Sequence, residues 1–458
     1  MPARPHRRPH RRSPSRPHRP LQPALLACAA VFLLGVCGPA AAQSLKELYE
    51  AARGYDATYL AARALAQSAE YRMAQSDALA RPSVAATAVA STARIDPPSV
   101  GWMSSSTTQG ALNGRYPLFN RGNDASIAQA RKAYDAAQAD LDSAEQDLIV
   151  RLAQAYFDVL AAQDSLAATR ANKAAITEQL ASAKRNFEVG TATITDTREA
   201  QAKYDLVVAQ EIFAENDLRA KRVALDELVG RTNVEPRPLA VPVALPALVP
   251  GRVEEWVSAA ESRHPSIRKA RLGLDMAQLE TEKARAGRLP TVDAVATLGL
   301  ADQRGSAVLA SSRGTTTSGS VGVQLNWTLY SGGAVDSRIR ETVLLEEKAG
   351  NDLQAARRGV AQGTRVAFLG VQSGLAQVKA LEAAEASSKL SLEATQLGYK
   401  VGVRVNVDVL NAQTQLYGTQ RDLARARYDN IVGNLRLRQA SGQLNGGDVE
   451  AANRLLVP

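Results

Sequence analysis

The strongest constraint on this chain is that it writes one pattern twice. The stretch "FEVGTATITDTREAQAKYD" (187–205) returns as "YKVGVRVNVDVLNAQTQLY" (399–417). Val189-Gly190 recurs as Val401-Gly402, Asp196 as Asp408 and Ala200-Gln201 as Ala412-Gln413, each 212 residues later. The likeness extends well beyond this motif. "YPLFNRG" (116–122) parallels "WTLYSGG" (327–333), Gly230 parallels Gly442, and residues 48–84 parallel 256–292 with Pro82 facing Pro290. Residues 43–233 and 252–446 therefore read as two copies of one unit. The proline-rich segment 234–251 reads as an extended linker between them, and 447–458 as a C-terminal tail.

Each copy has the same order. A helix of about 38 residues (44–81; 252–288) precedes a β-hairpin (about 83–119; 291–330). A very long helix (121–187; 334–400) follows, then the motif turn and a last helix (196–230; 408–442). The long helices are rich in Ala, Gln, Leu, Glu and Lys, which favour helix. At 1.5 Å per residue such a helix reaches roughly 100 Å, more than a compact domain needs. Its apolar residues recur every seventh position: Leu141, Leu148, Ala155, Ala162, Thr169, Ile176 and Ala183. A flanking row holds Leu152, Val159, Leu166, Leu180 and Phe187. A sustained seven-residue period predicts coiled-coil packing. The second long helix carries Gly350, Gly363, Gly370 and Gly374 and needs tertiary support.

Between the helices the period changes from seven to two. Val292, Ala294, Ala296, Leu298 and Leu300 point one way while Asp293, Thr297 and Gly299 point the other. Val321, Val323, Leu325, Trp327 and Leu329 share a face opposite Gly322, Gln324, Asn326 and Thr328. The first copy alternates through Leu112, Tyr116 and Leu118. Alternation over about ten residues suits a transmembrane strand and equally a soluble sheet. The leader favours the membrane. A basic n-region precedes an apolar run and Ala40-Ala41-Ala42, so 1–42 read as an export signal. Four strands cannot close a barrel, and lipid does not tolerate an open edge. If these strands span a membrane, several chains must share one barrel.

Charge and cysteine usage exclude other classes. Of the formal charge of +9, seven arginines lie in the first 42 residues, leaving +2 for the rest, so no nucleic-acid partner is indicated. Both cysteines, Cys28 and Cys37, sit in the leader; neither fits a lipidation box well, since Cys28 lies inside the apolar run and bulky Val36 precedes Cys37. The mature chain then has no disulfide or thiolate chemistry. Its one histidine, His264, precedes Pro265 at a bend and reads as structural. No catalytic residue, metal site or cofactor motif emerges, which argues against an enzyme.

Taken together, "FEVGTATITDTREAQAKYD", "YKVGVRVNVDVLNAQTQLY", "RYPLFNRG" and "LNWTLYSGG" in this duplicated order resemble the TolC family of outer-membrane channel tunnels. The resemblance covers residues 43–446. It implies a mainly α fold with transmembrane β: a homotrimeric 12-stranded barrel in the outer membrane of a Gram-negative bacterium, continued by a periplasmic α-barrel. It implies a passive exit duct for type I secretion or multidrug efflux. The partners would be a periplasmic adaptor, an inner-membrane ABC or proton-driven transporter, and outer-membrane lipid.

The resemblance also implies residue roles. Asp408 matches a pore-lining acidic position; Asn411 stands where well-known members have a second aspartate, so one acidic ring is expected rather than two. Thr195, Asp196, Tyr399 and Arg404 match positions that hold the aperture shut. Gly190 and Gly402 supply the motif turns. Plainer roles compete. "DTRE" makes Asp196 a candidate N-cap with Glu199 completing a capping box, and Asp408 a candidate cap for the last helix. For Tyr399 and Arg404 the plainer alternative is an ordinary surface position. At the level of function, a periplasmic coiled-coil adaptor or scaffold is the competing reading. The amphipathic strands, and the lack of a lipoyl-like all-β stretch, weigh against it.

Overall fold

The computed structural model describes residues 42–240, 242–243 and 245–457; residues 1–41 of the expected export signal lie outside them. The first copy runs α1 (Leu45–Tyr55), α2 (Ala57–Asp77), β1 (Ser83–Ile95), β2 (Met103–Phe119), α3 (Arg121–Glu188) and α4 (Ile194–Val229). The second runs α5 (Val253–Arg263), α6 (Pro265–Ala286), β3 (Thr291–Arg304), β4 (Gly314–Asn326), α7 (Ala334–Lys400) and α8 (Asn406–Ala440). A last helix, α9 (Gly446–Asn453), occupies most of what the sequence suggests is a tail.

The opening helix of each copy is broken, where the sequence suggests one rod. In the first copy Asp56 leaves the helical region and its carboxylate accepts from the Tyr59 N–H at 2.8 Å, capping α2. Arg151 of α3 then donates to both oxygens of that carboxylate at 3.1 and 3.0 Å. Short polar side chains compete with the helix for backbone donors in this way. In the second copy Pro265 pushes His264 out of the helical region, and the His264 Nδ1 accepts from the Ser266 N–H at 3.1 Å. Two different residues thus make the same break at equivalent positions.

The strands form one antiparallel sheet in the order β1-β2-β3-β4. The two hairpins meet where β2 pairs with β3, Leu112 opposite Leu298. Val84, Leu112, Leu298 and Val321 lie on one face, all exposed. β4 ends at Asn326, so Trp327 and Leu329 are not on its face. The chain there must swing into α7; Trp327 Nε1–H donates to the Arg288 carbonyl at 3.1 Å instead.

The main core sits at mid-length of α3, against α1, α4, α8 and α9. Tyr156 meets Phe157 edge-on at 5.4 Å, and Phe157 stacks on Tyr428 of α8 at 5.8 Å. Around Leu148–Ala162 both seam and off-seam residues are buried, because helices cover α3 on several sides. Towards the far end cover narrows to one side, where Ile176 and Ala183 of the seam and Leu180 of the flanking row stay buried, and Phe187 is exposed. The proline-rich linker is not a free spacer. Gln43 N–H donates to the Glu235 carbonyl at 2.7 Å, and Val457 N–H to the Pro238 carbonyl at 2.9 Å. Buried Val234 and Leu239 seal it to the bundle. Among the described residues no helix is long and apolar enough to cross a membrane.

Candidate functional site

The two motif turns lie at the ends of α3 and α7 farthest along the helices from the sheet. Their backbones match. Gly190 has φ +79° and Gly402 φ +82°, a conformation that side chains with a Cβ rarely adopt. Thr191 and Ala192 N–H both donate to the Asn186 carbonyl, at 2.8 and 3.1 Å. Val403 and Arg404 N–H donate likewise to Gly398, at 2.9 and 3.2 Å. These bonds satisfy carbonyls that a helix end would otherwise leave free.

The helices leaving the turns start differently. α4 opens on Thr193, whose Oγ1 accepts from the Asp196 N–H at 3.2 Å while the Asp196 Oδ2 accepts from the Thr193 N–H at 2.9 Å. The capping box is therefore Thr193 with Asp196, one turn earlier than "DTRE" suggests. α8 opens on Val405, which has no side-chain acceptor to offer. Asp408 is not its cap; the carboxylate lies 3.6 Å from Arg404 Nη1. Asp408 is half-buried, whereas Arg404, Asn411 and Thr195 are exposed.

Across the copies, the structure brings Tyr399 to Asn186, whose Nδ2 donates to the tyrosine hydroxyl at 3.2 Å. Asp196 spends its carboxylate on Thr193 rather than on Tyr399. Thr195 and Arg404 make no contact with each other within the chain's hydrogen bonds. Asn406, which the sequence reasoning passes over, is the centre of the junction. Its side chain is buried, accepts from Gln179 of α3, and donates to the Asp196 carbonyl at 3.4 Å. Beside it Leu410 is wholly buried against Ile176, Leu180, Ala183, Ala200 and Val207. A polar residue one place into α8, at the position equivalent to apolar Ile194, is the signal that marks Asn406 in the sequence. The arrangement fastens α8 onto the α3–α4 pair with few bonds, most of them exposed or half-exposed. Such a fastening holds a position yet can be released.

Comparison with known proteins follows this geometry. A family model described as outer membrane efflux protein matches residues 48–231 and again 256–443, once per copy. The chain is 32% identical over 412 residues to outer membrane protein TolC of Vibrio cholerae, covering 90% of this chain and 93% of that protein. It is 34% identical over 315 residues to the alkaline protease secretion protein AprF of Pseudomonas aeruginosa, covering 68% and 65%. Among solved structures, the outer membrane protein VceC from Vibrio cholerae superposes with a TM-score of 0.73 at 20% identity, over 87% of this chain and 96% of that one.

Proposed function

The chain belongs to the outer membrane efflux protein family, and from that premise we propose that it is the outer-membrane exit duct of a tripartite export system. One observation carries the reading. An open four-stranded sheet, apolar on one face, runs directly into helices of 68 and 67 residues. Among the described residues both sheet edges, β1 and β4, are unpaired, which a membrane does not permit. Three copies close a 12-stranded barrel, and their helices continue it roughly 100 Å into the periplasm. There the duct meets an adaptor and an inner-membrane transporter, which supplies the energy and selects the cargo. The duct itself carries out no catalytic step. Similarity to TolC and to a protease secretion protein over most of the chain favours this reading over an adaptor or scaffold.

The motif turns form the periplasmic aperture. Tyr399, Arg404, Thr195 and Asp196 hold it shut, with Asn186 and Asn406 fastening α8 inside each chain. Asp408, repeated three times, lines the opening.

Purified protein tests the duct. We expect a detergent-solubilised species of three chains that opens ion channels in a planar bilayer. A water-soluble protein that extracts without detergent and opens no channel overturns the reading.

A further inference from the structure

On the sheet face opposite the apolar one, the register places Ser83, Asn113, Thr297 and Ser320 among small and hydroxyl-bearing residues. Only two ionisable residues stand on that face over the whole length of the strands: Arg115 of β2 and Asp293 of β3. They form one pair, Arg115 Nη2 donating to Asp293 Oδ2 at 2.7 Å. The pair is lopsided. The carboxylate side chain is 2% exposed and the guanidinium 59%. The carboxylate's other oxygen is buried without a partner, so the grip is single-toothed. A guanidinium has five N–H donors, and among the described residues Arg115 uses one on the protein. Arg115 pairs with Ser83, the first residue of β1, so it stands at the helix-side end of the strands.

We propose that Arg115, tethered by Asp293, forms with its two symmetry copies a guanidinium ring that binds polyvalent anions at the inner end of the barrel. The inference rests on the duct reading, which makes the polar sheet face the lumen. Twelve strands about 4.8 Å apart and tilted by about 40° enclose a lumen of roughly 12 Å radius. Arginine side chains reaching inward from that wall bring the three charges to about a Debye length of one another at 0.1 M salt, which is about 10 Å. An oligophosphate or polycarboxylate can then contact more than one guanidinium, and Arg is suited to such oxygens. The carboxylates attenuate the ring but are buried, so the passing solute meets the exposed guanidinium groups. This site lies at the opposite end of the long helices from the Asp408 aperture and has the opposite sign.

The test is block of single-channel current by inorganic tripolyphosphate, added to each chamber in turn at 0.1 M and 1 M KCl. We expect block at 0.1 M that fades at 1 M, where the Debye length is about 3 Å. Arg115→Gln weakens it about tenfold, equivalent to about 1.4 kcal/mol. Arg115→Lys retains it and controls for folding. Asp293→Asn, which removes the counter-charge, tightens it; a merely structural pair would be damaged by either change. Channels that conduct normally but show equal block in wild type and Arg115→Gln, or none in wild type, overturn the ring and leave the duct standing. Failure to form channels at all overturns the duct itself.

Discussion

At the scale of single residues, the two copies solve the same problem with different chemistry. Asp56 and His264 each cap a helix at an equivalent break, but only the histidine titrates near neutrality. Burial holds the His264 pKa below its usual value, and its Nδ1 must stay unprotonated to accept from Ser266. The folded chain therefore resists protonation more than the unfolded one, whose histidine titrates near about 6.5. This contribution is fully present above that pH and is lost as pH falls through the lower folded value. We expect melting temperature to drop between pH 7 and pH 5, and His264→Asn, which keeps a capping oxygen, to flatten that dependence. An unchanged slope in the variant assigns the acid sensitivity elsewhere. Arg151 holds the Asp56 carboxylate below its usual range, so that pair weakens only in stronger acid. The proline beside His264 was legible as a bend; the capping role of Asp56 was not, because its partner Arg151 is 95 residues away.

At the scale of elements, the informative contrast is between α4 and α8. Both follow the same glycine turn, yet α4 has a complete capping box and α8 has none. A missing cap costs about 1 kcal/mol, so α8 is the weaker start and the more readily displaced helix. What holds it is tertiary: Tyr399 to Asn186, Asn406 to Gln179 and the Asp196 carbonyl, and Leu410 in its small core. Removing the tyrosine hydroxyl and the arginine charge together should free the tip without unfolding the chain. We expect Tyr399→Phe with Arg404→Ser to raise single-channel conductance at least about twofold, since the lost Asn186–Tyr399 hydrogen bond and the exposed Arg404–Asp408 ion pair are each worth about 1 kcal/mol or less. Conductance equal to wild type would remove these residues from the gate. Periodicity identified the long helices themselves, because seven-residue spacing is a local property. It did not identify where the seam ends: Phe187 continues the spacing but lies past the point where other helices cover α3, and is exposed.

At the scale of the whole molecule, duplication and three-fold assembly multiply each local feature. In the proposed three-chain aperture, one Asp408 per chain becomes three around the opening, while Asn411 leaves any neighbouring ring uncharged. Three carboxylates close together attract multivalent cations strongly and lose that attraction in high salt. We expect Asp408→Ala to abolish block by a trivalent cation such as hexamminecobalt at 0.1 M KCl and to reduce cation selectivity. Persistent block in the variant would move the constriction to other residues. The sequence alone determined the duplicated order of elements, the alternating strands and the long helical rods, because periodicity and turn chemistry act over a few residues. It also located the glycine turns, since a left-handed backbone position is a local demand. Only the tertiary structure decided that Arg115 pairs with Asp293, 178 residues on, and that the arginine rather than the carboxylate is exposed. It alone revealed that Asn406 is the residue buried at the junction of the copies. Burial and pairing of polar groups depend on which distant elements come to lie beside them, and no local pattern encodes that.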